Sequence, residues 1–303
     1  MRPKILISAG EASGDLYAGA LAERLRGAAE ADLFGCVGPH MRAAGVRQVV
    51  DAARLSVVGL AEVVGHIPRV WADLRRMVRA ARRERPDLAV LTDSPDFHLP
   101  LARQLKRIGV PVVYMVAPQV WAWREGRIRA IRRNTDRLLC IFPFEEAFFR
   151  RRGVKADYIG HPLVRLAKPR LSRGEFLRKH DLTGRDPVVA LLPGSRRGEA
   201  FRHMGKLVEA AAILRQRAGV RSLLGAPAGF WSASDGERRR RLAECGIGVA
   251  EGETWDLLAH SDLALAASGT VTVEAAILGT PMVTFYRVSP LSWALGRPLV
   301  KVP

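Results

Sequence analysis

Short apolar runs alternate with amphipathic stretches along most of the 303-residue chain. KILISAG (4–10), LAVLTDS (88–94), VPVVYMVAP (110–118), LLCIF (138–142) and ADYIGHP (156–162) each have the length of one strand and lead into turn-forming residues. Between them, apolar residues recur at the three-to-four spacing of helices. Strands that are apolar throughout, rather than alternating, belong to parallel sheets covered by helices on both faces. The pattern therefore predicts repeated β–α–β units and an α/β fold.

The alternation breaks once. From Pro162 to Pro187 the chain is rich in Arg, Lys and Pro and has no strand-like run. A second series begins with PVVALLPGS (187–195) and continues through RSLLGAP (221–227), LALAASG (263–269) and TPMVTFY (280–286). The simplest organisation is two doubly wound domains, residues 1–162 and 187–303, joined by a linker over 163–186. Ligands of such folds bind at the carboxyl ends of the strands, so the expected site is a cleft that the two domains face.

One helical stretch stands apart. In IPRVWADLRRMVRAARRERP (67–86), Val70, Trp71, Leu74, Met77, Val78 and Ala81 recur at helical spacing, while Arg69, Arg75, Arg76, Arg79, Arg82 and Arg83 occupy much of the remaining surface. An ordinary half-buried helix with a solvated basic face is one reading. The other is a helix lying on an anionic bilayer, with Trp71, Arg75, Arg79 and Arg82 turned to the lipid and about 1 kcal/mol added per basic residue near the surface. WREGRIRAIRR (123–133) extends the basic character.

Composition narrows the class. With 48% hydrophobic and 26% charged residues the chain is expected to build a sizeable core. No apolar run reaches the roughly eighteen residues of a spanning helix, and the N-terminal run is too short for a secretory signal. Cys36, Cys140 and Cys245 are odd in number and far apart in apolar surroundings, as expected of buried thiols in a reducing, cytoplasmic compartment. The net charge of +18 reflects either an arginine-favouring composition or an anionic partner. With no nucleic-acid signature beside it, nucleic acid is not expected, and a phosphate-bearing substrate or an anionic membrane surface is the functional choice.

Four strand ends carry chemistry. In SAGEASGDL (8–16), Gly10, Ser13 and Gly14 allow a tight turn into a helix whose N–H groups suit an anion or a sugar hydroxyl, and Glu11 can bond to hydroxyls; a helix start capped by Ser13 or Asp15 would use the same residues. In LLPGSRRGEAF (191–201), Gly194 and Ser195 turn into a helix beside Arg196 and Arg197, and a guanidinium fork there is suited to a diphosphate. In AASGTVTVEAAILGTP (266–281), Ser268, Gly269 and Thr270 make a small-residue turn, and Glu274 lies one helical turn on. That acid is placed to accept from ribose hydroxyls, or else to offset the helix dipole. The fourth is LTDSPDFHLP (91–100). Asp93 is expected to end the strand or cap the turn, and Asp96, beyond Pro95, to face the cleft as a general base of raised pKa. His98 could orient Asp96 or share its proton, although a lone histidine in such a position is more often structural. No His/Cys cluster has ligand spacing, so neither a metal nor a cofactor is expected.

GEASGD, DSPDF, APQVWAWREGRI, FPFE, IGHP, LLPGSR and ASGTVTVEAA, in this order and spacing, resemble the lipid-A-disaccharide synthases. The resemblance runs along essentially the whole chain. It implies an inverting glycosyltransferase of the GT-B kind, built from two Rossmann-like domains, with UDP-2,3-diacylglucosamine as donor. The acceptor would be 2,3-diacylglucosamine 1-phosphate, and the products the lipid A disaccharide 1-phosphate and UDP. Carried over by position, Asp96 deprotonates the acceptor's 6-hydroxyl and Glu11 lies at the cleft. Gly194, Ser195 and Arg196 hold the UDP diphosphate, and Ser268, Gly269, Thr270 and Glu274 form the nucleotide pocket. Ser13, Gly14 and the basic helix face the acceptor and the inner membrane's cytoplasmic side, where the enzyme would sit peripherally. The family usually has asparagine at the position of His98. The chain ends at LVKVP, short of the usual family length, so the second domain is expected to be incomplete. The alternatives are a UDP-sugar 2-epimerase, another GT-B transferase, or an inactive UDP-binding remnant.

Overall fold

The structure, a computed structural model, describes residues 2–55 and 60–288, with the backbone alone at 60–66 and 233. The chain divides into two compact units after Pro162.

The first unit is a seven-stranded parallel sheet. Its strands are β1 (Lys4–Ala9), β2 (Asp32–Val37), β3 (Arg47–Asp51), β4 (Leu88–Thr92), β5 (Val112–Met115), β6 (Arg137–Cys140) and β7 (Ala156–Tyr158). The helices of this unit are α1 (Ala12–Ala29), α2 (Pro39–Ala43), α3 (Leu60–Glu84), α4 (Pro95–Arg107), α5 (Ile128–Asn134) and α6 (Pro143–Arg150). Spatial order is β3-β2-β1-β4-β5-β6-β7, so the chain reverses its direction of travel between β1 and β4. There the two strands pair from Ile5–Leu88 to Ala9–Thr92, and both end at the same edge. The five predicted strands of this half are present, and β2 and β3 are additional.

The second unit contains α7 (Leu163–Leu166), α8 (Arg173–Lys179), β8 (Val188–Leu192), α9 (Arg197–Ala218), β9 (Arg221–Ala226) and α10 (Gly236–Glu244). It continues with β10 (Ile247–Glu251), α11 (Thr254–His260), β11 (Leu263–Ala267), α12 (Thr270–Leu278) and β12 (Met282–Phe285). Its order, β10-β9-β8-β11-β12, again reverses beside its first strand, between β8 and β11. Strand β8 shows why both faces must be covered. Val188, Ala190 and Leu192 enter one core with Phe176 and Leu257, while Val189 and Leu191 enter another with Met204 and Leu207, as the two-residue period of a strand dictates. The tract read as a linker carries α7 and α8. Phe176 is buried with the second sheet's core, and buried Asp256 accepts hydrogen bonds from the backbone N–H of Arg170 (2.6 Å) and Leu171 (2.7 Å).

Helix α3 buries Leu74, Met77, Ala80 and Ala81. Trp71 does not follow them: it is 53% exposed, and Ile67 is 46% exposed. Arg75, Arg79 and Arg82 are exposed on the same helix. Asp73, on the buried side, accepts from Arg54 (2.9 Å) and Arg76 (3.1 Å). Among the described residues no helix is long and apolar enough to cross a membrane.

Candidate active site at two sheet switch points

Sequence motifs far apart in the chain meet where each sheet reverses. In the first unit, β1 opens into Gly10 and Glu11 and β4 opens into Asp93. The Asp93 carboxylate accepts from the backbone N–H of Gly10 (Oδ1, 3.0 Å) and of Glu11 (Oδ2, 3.2 Å). Those are the N–H groups that the sequence offered to an outside anion; in the structure Asp93 takes them. The glycines serve that approach. A methyl on Gly14 would lie 1.6 Å from Asp93 Oδ2, and one on Gly10 would lie 2.2 Å from Ser94 Oγ. Gly14, expected to face the acceptor, is therefore buried beneath Asp93, with Ser13 partly exposed beside it. Neither Ser13 nor Asp15 caps α1. Asp15 instead accepts from the N–H groups of Gly38 (2.9 Å), His40 (2.8 Å) and Met41 (3.2 Å) and so caps α2.

The Asp93 backbone is held as firmly as its side chain. Asp93 (φ 57°) and Ser94 (φ 39°) both lie in the left-handed region, costly for residues with a side chain. The Asp93 carbonyl accepts from Tyr114 Oη–H and from His98 Nδ1–H (2.9 Å). His98 is fully buried, and its Nε2 accepts from the Ser8 hydroxyl at 2.8 Å. Burial pushes the imidazole pKa down to about 4, so the ring is neutral at physiological pH. His98 thus braces Asp93 and has no bond to Asp96: of the two sequence readings, the structural one holds.

The two carboxylates of DSPDF have opposite surroundings. Asp93 is partly buried, and desolvation, reinforced by the Glu11 charge, pushes its pKa up to about 8. Asp96, in the first turn of α4, is 76% exposed and paired with Arg124 (3.3 Å) and Arg127. The physical criteria that pointed to Asp96 as a base, partial burial and a raised pKa, are met instead at Asp93. The chain reverses at Asp93–Ser94 before Pro95 starts α4. The first acid consequently folds back over the GEASGD turn, and the second projects outward.

In the second unit, β8 runs into Pro193-Gly194-Ser195-Arg196 and then α9. Gly194 has φ 112°, and buried Glu199 lies 2.9 Å from where a methyl on it would sit. His203 Nδ1–H donates to the Pro193 carbonyl (2.8 Å), and its Nε2 accepts from the Arg287 N–H (3.2 Å). The adjacent arginines separate in role. Arg197 donates to buried Asp235 (2.7 Å) and to the Phe230 carbonyl, and lies 5.0 Å over the Phe201 ring. Arg196 is partly exposed at the N-cap of α9.

Across that switch point β11 ends at Ser268, Gly269 and Thr270, all exposed. The Ser268 N–H donates to the Phe285 carbonyl (2.9 Å), and the Thr272 hydroxyl donates to the Gly269 carbonyl (2.8 Å). Glu274 is half-buried, and desolvation raises its pKa against a hydrogen bond from the Trp255 side chain. Trp255, in the first turn of α11, was not singled out in the sequence. Its signal was weak, a single aromatic after the Gly-Glu-Thr turn of residues 252–254.

The chain matches the family described as Lipid-A-disaccharide synthetase over residues 5–303. It is 60% identical to a lipid-A-disaccharide synthase of Solibacter usitatus (strain Ellin6076), covering 99% of this chain and 78% of that protein. It is 44% identical to one of Koribacter versatilis (strain Ellin345), with the same coverage of 99% and 78%. Among solved structures, the S. aureus MnaA–UDP co-structure superposes with a TM-score of 0.68 at 12% identity, over 99% of this chain and 83% of that one. A Neisseria meningitidis UDP-GlcNAc 2-epimerase bound to UDP-GlcNAc gives 0.65 at 11% identity, over 97% and 86%. At such identities the structural likeness establishes the two-domain GT-B type of fold and nothing more. The sequence matches do not favour the epimerase alternative. This chain belongs to the lipid-A-disaccharide synthase family.

Proposed function

We propose that the protein is the inverting glycosyltransferase that joins UDP-2,3-diacylglucosamine to 2,3-diacylglucosamine 1-phosphate, releasing UDP. The observation that carries the mechanism is the half-buried Asp93 of raised pKa at the first sheet's switch point, fixed by the Gly10 and Glu11 N–H groups; its ionised form is the base. Asp93 takes the role that the resemblance gave to Asp96. It removes the proton of the acceptor's 6-hydroxyl as that oxygen attacks the donor's anomeric carbon. The new carbon–oxygen bond forms on the face opposite UDP, the bond to the UDP phosphate breaks, and the proton passes from Asp93 to solvent. A base titrating near the working pH is well matched to this step.

On the donor side, the leaving diphosphate is neutralised by Arg196 and by the N-termini of α9 and α12, whose N–H groups and dipoles favour negative charge. Glu274, held by Trp255, accepts from the ribose hydroxyls. Acylated substrates are drawn from an anionic membrane by α3, whose exposed Ile67 and Trp71 accompany Arg75, Arg79 and Arg82; the enzyme sits peripherally on the membrane's cytoplasmic face.

The test is product formation by this chain from both acylated substrates in detergent micelles. Disaccharide 1-phosphate and UDP in equal amounts are the expected result. Turnover of UDP-GlcNAc with no acylated acceptor present would overturn the assignment in favour of a soluble-sugar enzyme.

A further inference from the structure

Four of the seven left-handed residues that carry side chains among the described residues, Asp93, Ser94, Val116 and Arg124, lie in the loops that follow β4 and β5. A β-branched residue such as Val116 (φ 66°) adopts this conformation rarely, and strain of this kind gathers at functional sites. The loop after β5 is held at both ends. Trp121 Nε1–H donates to buried Glu145 (3.2 Å), and Glu125 accepts from Arg152 (3.0 Å). Beside these anchors Arg124 and Arg127 stack on one indole, 4.5 Å and 5.6 Å from the Trp123 ring centre. Both guanidinium groups converge on a single oxygen, Asp96 Oδ1. The same place adjoins the base: the Tyr114 hydroxyl feels the charges of Asp93, Arg127, Asp96 and Glu11 together.

We propose that Arg124 and Arg127, stacked on Trp123, are the binding site for the phosphate monoester of the acceptor, and that Asp96 holds the pair until the phosphate displaces it. This rests on the transferase reading above. Two fixed positive groups crowded onto one carboxylate oxygen are poorly matched in charge and number of acceptors. A phosphate dianion offers each guanidinium its own oxygen and a second negative charge, the geometry in which arginine forks bind most strongly. Asp96, 76% exposed, can leave for solvent, and its pair with Arg124 is exposed on both sides, where ion pairs contribute little; Arg127, 15% exposed, is the more fixed of the two arginines. Placed here, the acceptor is anchored by its only ionised group beside Asp93. The residue that resemblance marked as the base becomes a stand-in for substrate charge.

The experiment compares acceptors with and without the 1-phosphate, using wild type, Arg124→Gln, Arg127→Gln and the charge-keeping Arg127→Lys, with inorganic phosphate as a competing probe. The glutamine variants are expected to raise KM for the phosphorylated acceptor about tenfold or more while changing KM little for the dephosphorylated one, with Arg127→Lys between. Inorganic phosphate should compete with the acceptor, more weakly in Arg127→Gln and more strongly in Asp96→Asn. Equal losses on both acceptors would overturn the site, as would phosphate inhibition unchanged by Asp96→Asn. If wild type forms no product with either acceptor, the transferase reading itself fails. The phosphate site is then judged by thermal shift: inorganic phosphate must raise the Tm of wild type more than that of Arg127→Gln, or the site is wrong too.

Discussion

Gly14 and Asp93 are packed so closely that a methyl group on the glycine would lie 1.6 Å from Asp93 Oδ2. The carboxylate cannot keep its bonds to Gly10 and Glu11 if anything larger than hydrogen occupies position 14. Gly14→Ala should therefore displace Asp93, abolish most turnover, and cost about 1–3 kcal/mol through overpacking. Gly27, in the same helix, has open space where its methyl would go, so Gly27→Ala should leave activity intact and stabilise slightly. Chemical denaturation and product assays on the two variants check the pair. Full activity in Gly14→Ala would show that Asp93 need not sit where it does.

The pH dependence of turnover follows from the same carboxylate. Burial and the Glu11 charge hold the Asp93 pKa at about 8, so this carboxyl group, the proposed base, is mostly protonated at neutral pH. The value of kcat/KM should fall by about tenfold per pH unit below that pKa. Asp93→Asn should remove this limb and lower kcat by roughly 10²–10⁴, with UDP affinity kept. A wild-type profile flat between pH 6 and 8 would remove Asp93 from the proton transfer.

Stability should move the opposite way. Folding raises the Asp93 pKa from 3.8 to about 8, so between those values the unfolded chain releases a proton that the folded chain keeps. Stability is then lost as pH rises through that window. Asp93→Asn lacks this loss, and its Tm relative to wild type should climb between pH 5 and 8. His98, with its pKa lowered to about 4, loses stability in the acid direction below about pH 6.5. It does so equally in both proteins, so the difference isolates Asp93. A constant Tm difference would mean that Asp93 titrates normally.

Much of this architecture was legible in the sequence because buried parallel strands are apolar end to end, as in β4 and β8, and end in conspicuous glycines and acids. Strands β2, β3 and β10 were missed. β3 and β10 each form an outer edge of their sheet, and only Val50 of RQVVD and two residues of IGVAE are buried; β2 is interior, but Asp32 and Gly35 interrupt the apolar run of DLFGCV. The four motifs were recognisable one by one, but not that they pair across switch points, since strand order depends on packing between distant segments. That Asp93 rather than Asp96 has the burial and raised pKa sought in a base has a local cause. A proline after an acid suggests that the chain runs onward, and nothing in the residue types shows that Asp93 and Ser94 turn left-handed. The spacing of Gly10 and Gly14 was the available sign that another group must come close.

The two arginines after the Gly-Ser turn should separate in experiment. Arg196 sits at the α9 N-cap, whereas Arg197 is bound to Asp235 and the Phe230 carbonyl. Arg196→Ala should weaken UDP binding about 10- to 100-fold, the range of a lost charged hydrogen bond. Arg197→Ala should lower Tm and leave UDP affinity close to wild type, because it strips a partner from a buried carboxylate. Calorimetric titration with UDP beside thermal melts decides the matter. Equal effects of the two substitutions on UDP would deny Arg196 its separate role.

Helix α3 offers the last separation, between a solvated surface and a membrane contact. A purely solvated helix has no use for an exposed tryptophan and isoleucine four residues apart, yet Trp71 is 53% and Ile67 46% exposed. On a bilayer they would bury at the headgroup level while Arg75, Arg79 and Arg82 meet anionic lipid, each adding about 1 kcal/mol. These residues are remote from the buried side of the helix, where Leu74 and Met77 pack, so changing them should spare the fold. Arg75→Glu, Arg79→Glu and Arg82→Glu together should release the protein from anionic vesicles in sedimentation. Trp71→Ser should weaken binding even at high salt, where charge is screened. If the triple variant still binds vesicles as wild type does, α3 is an ordinary surface helix and the proposed membrane contact is wrong.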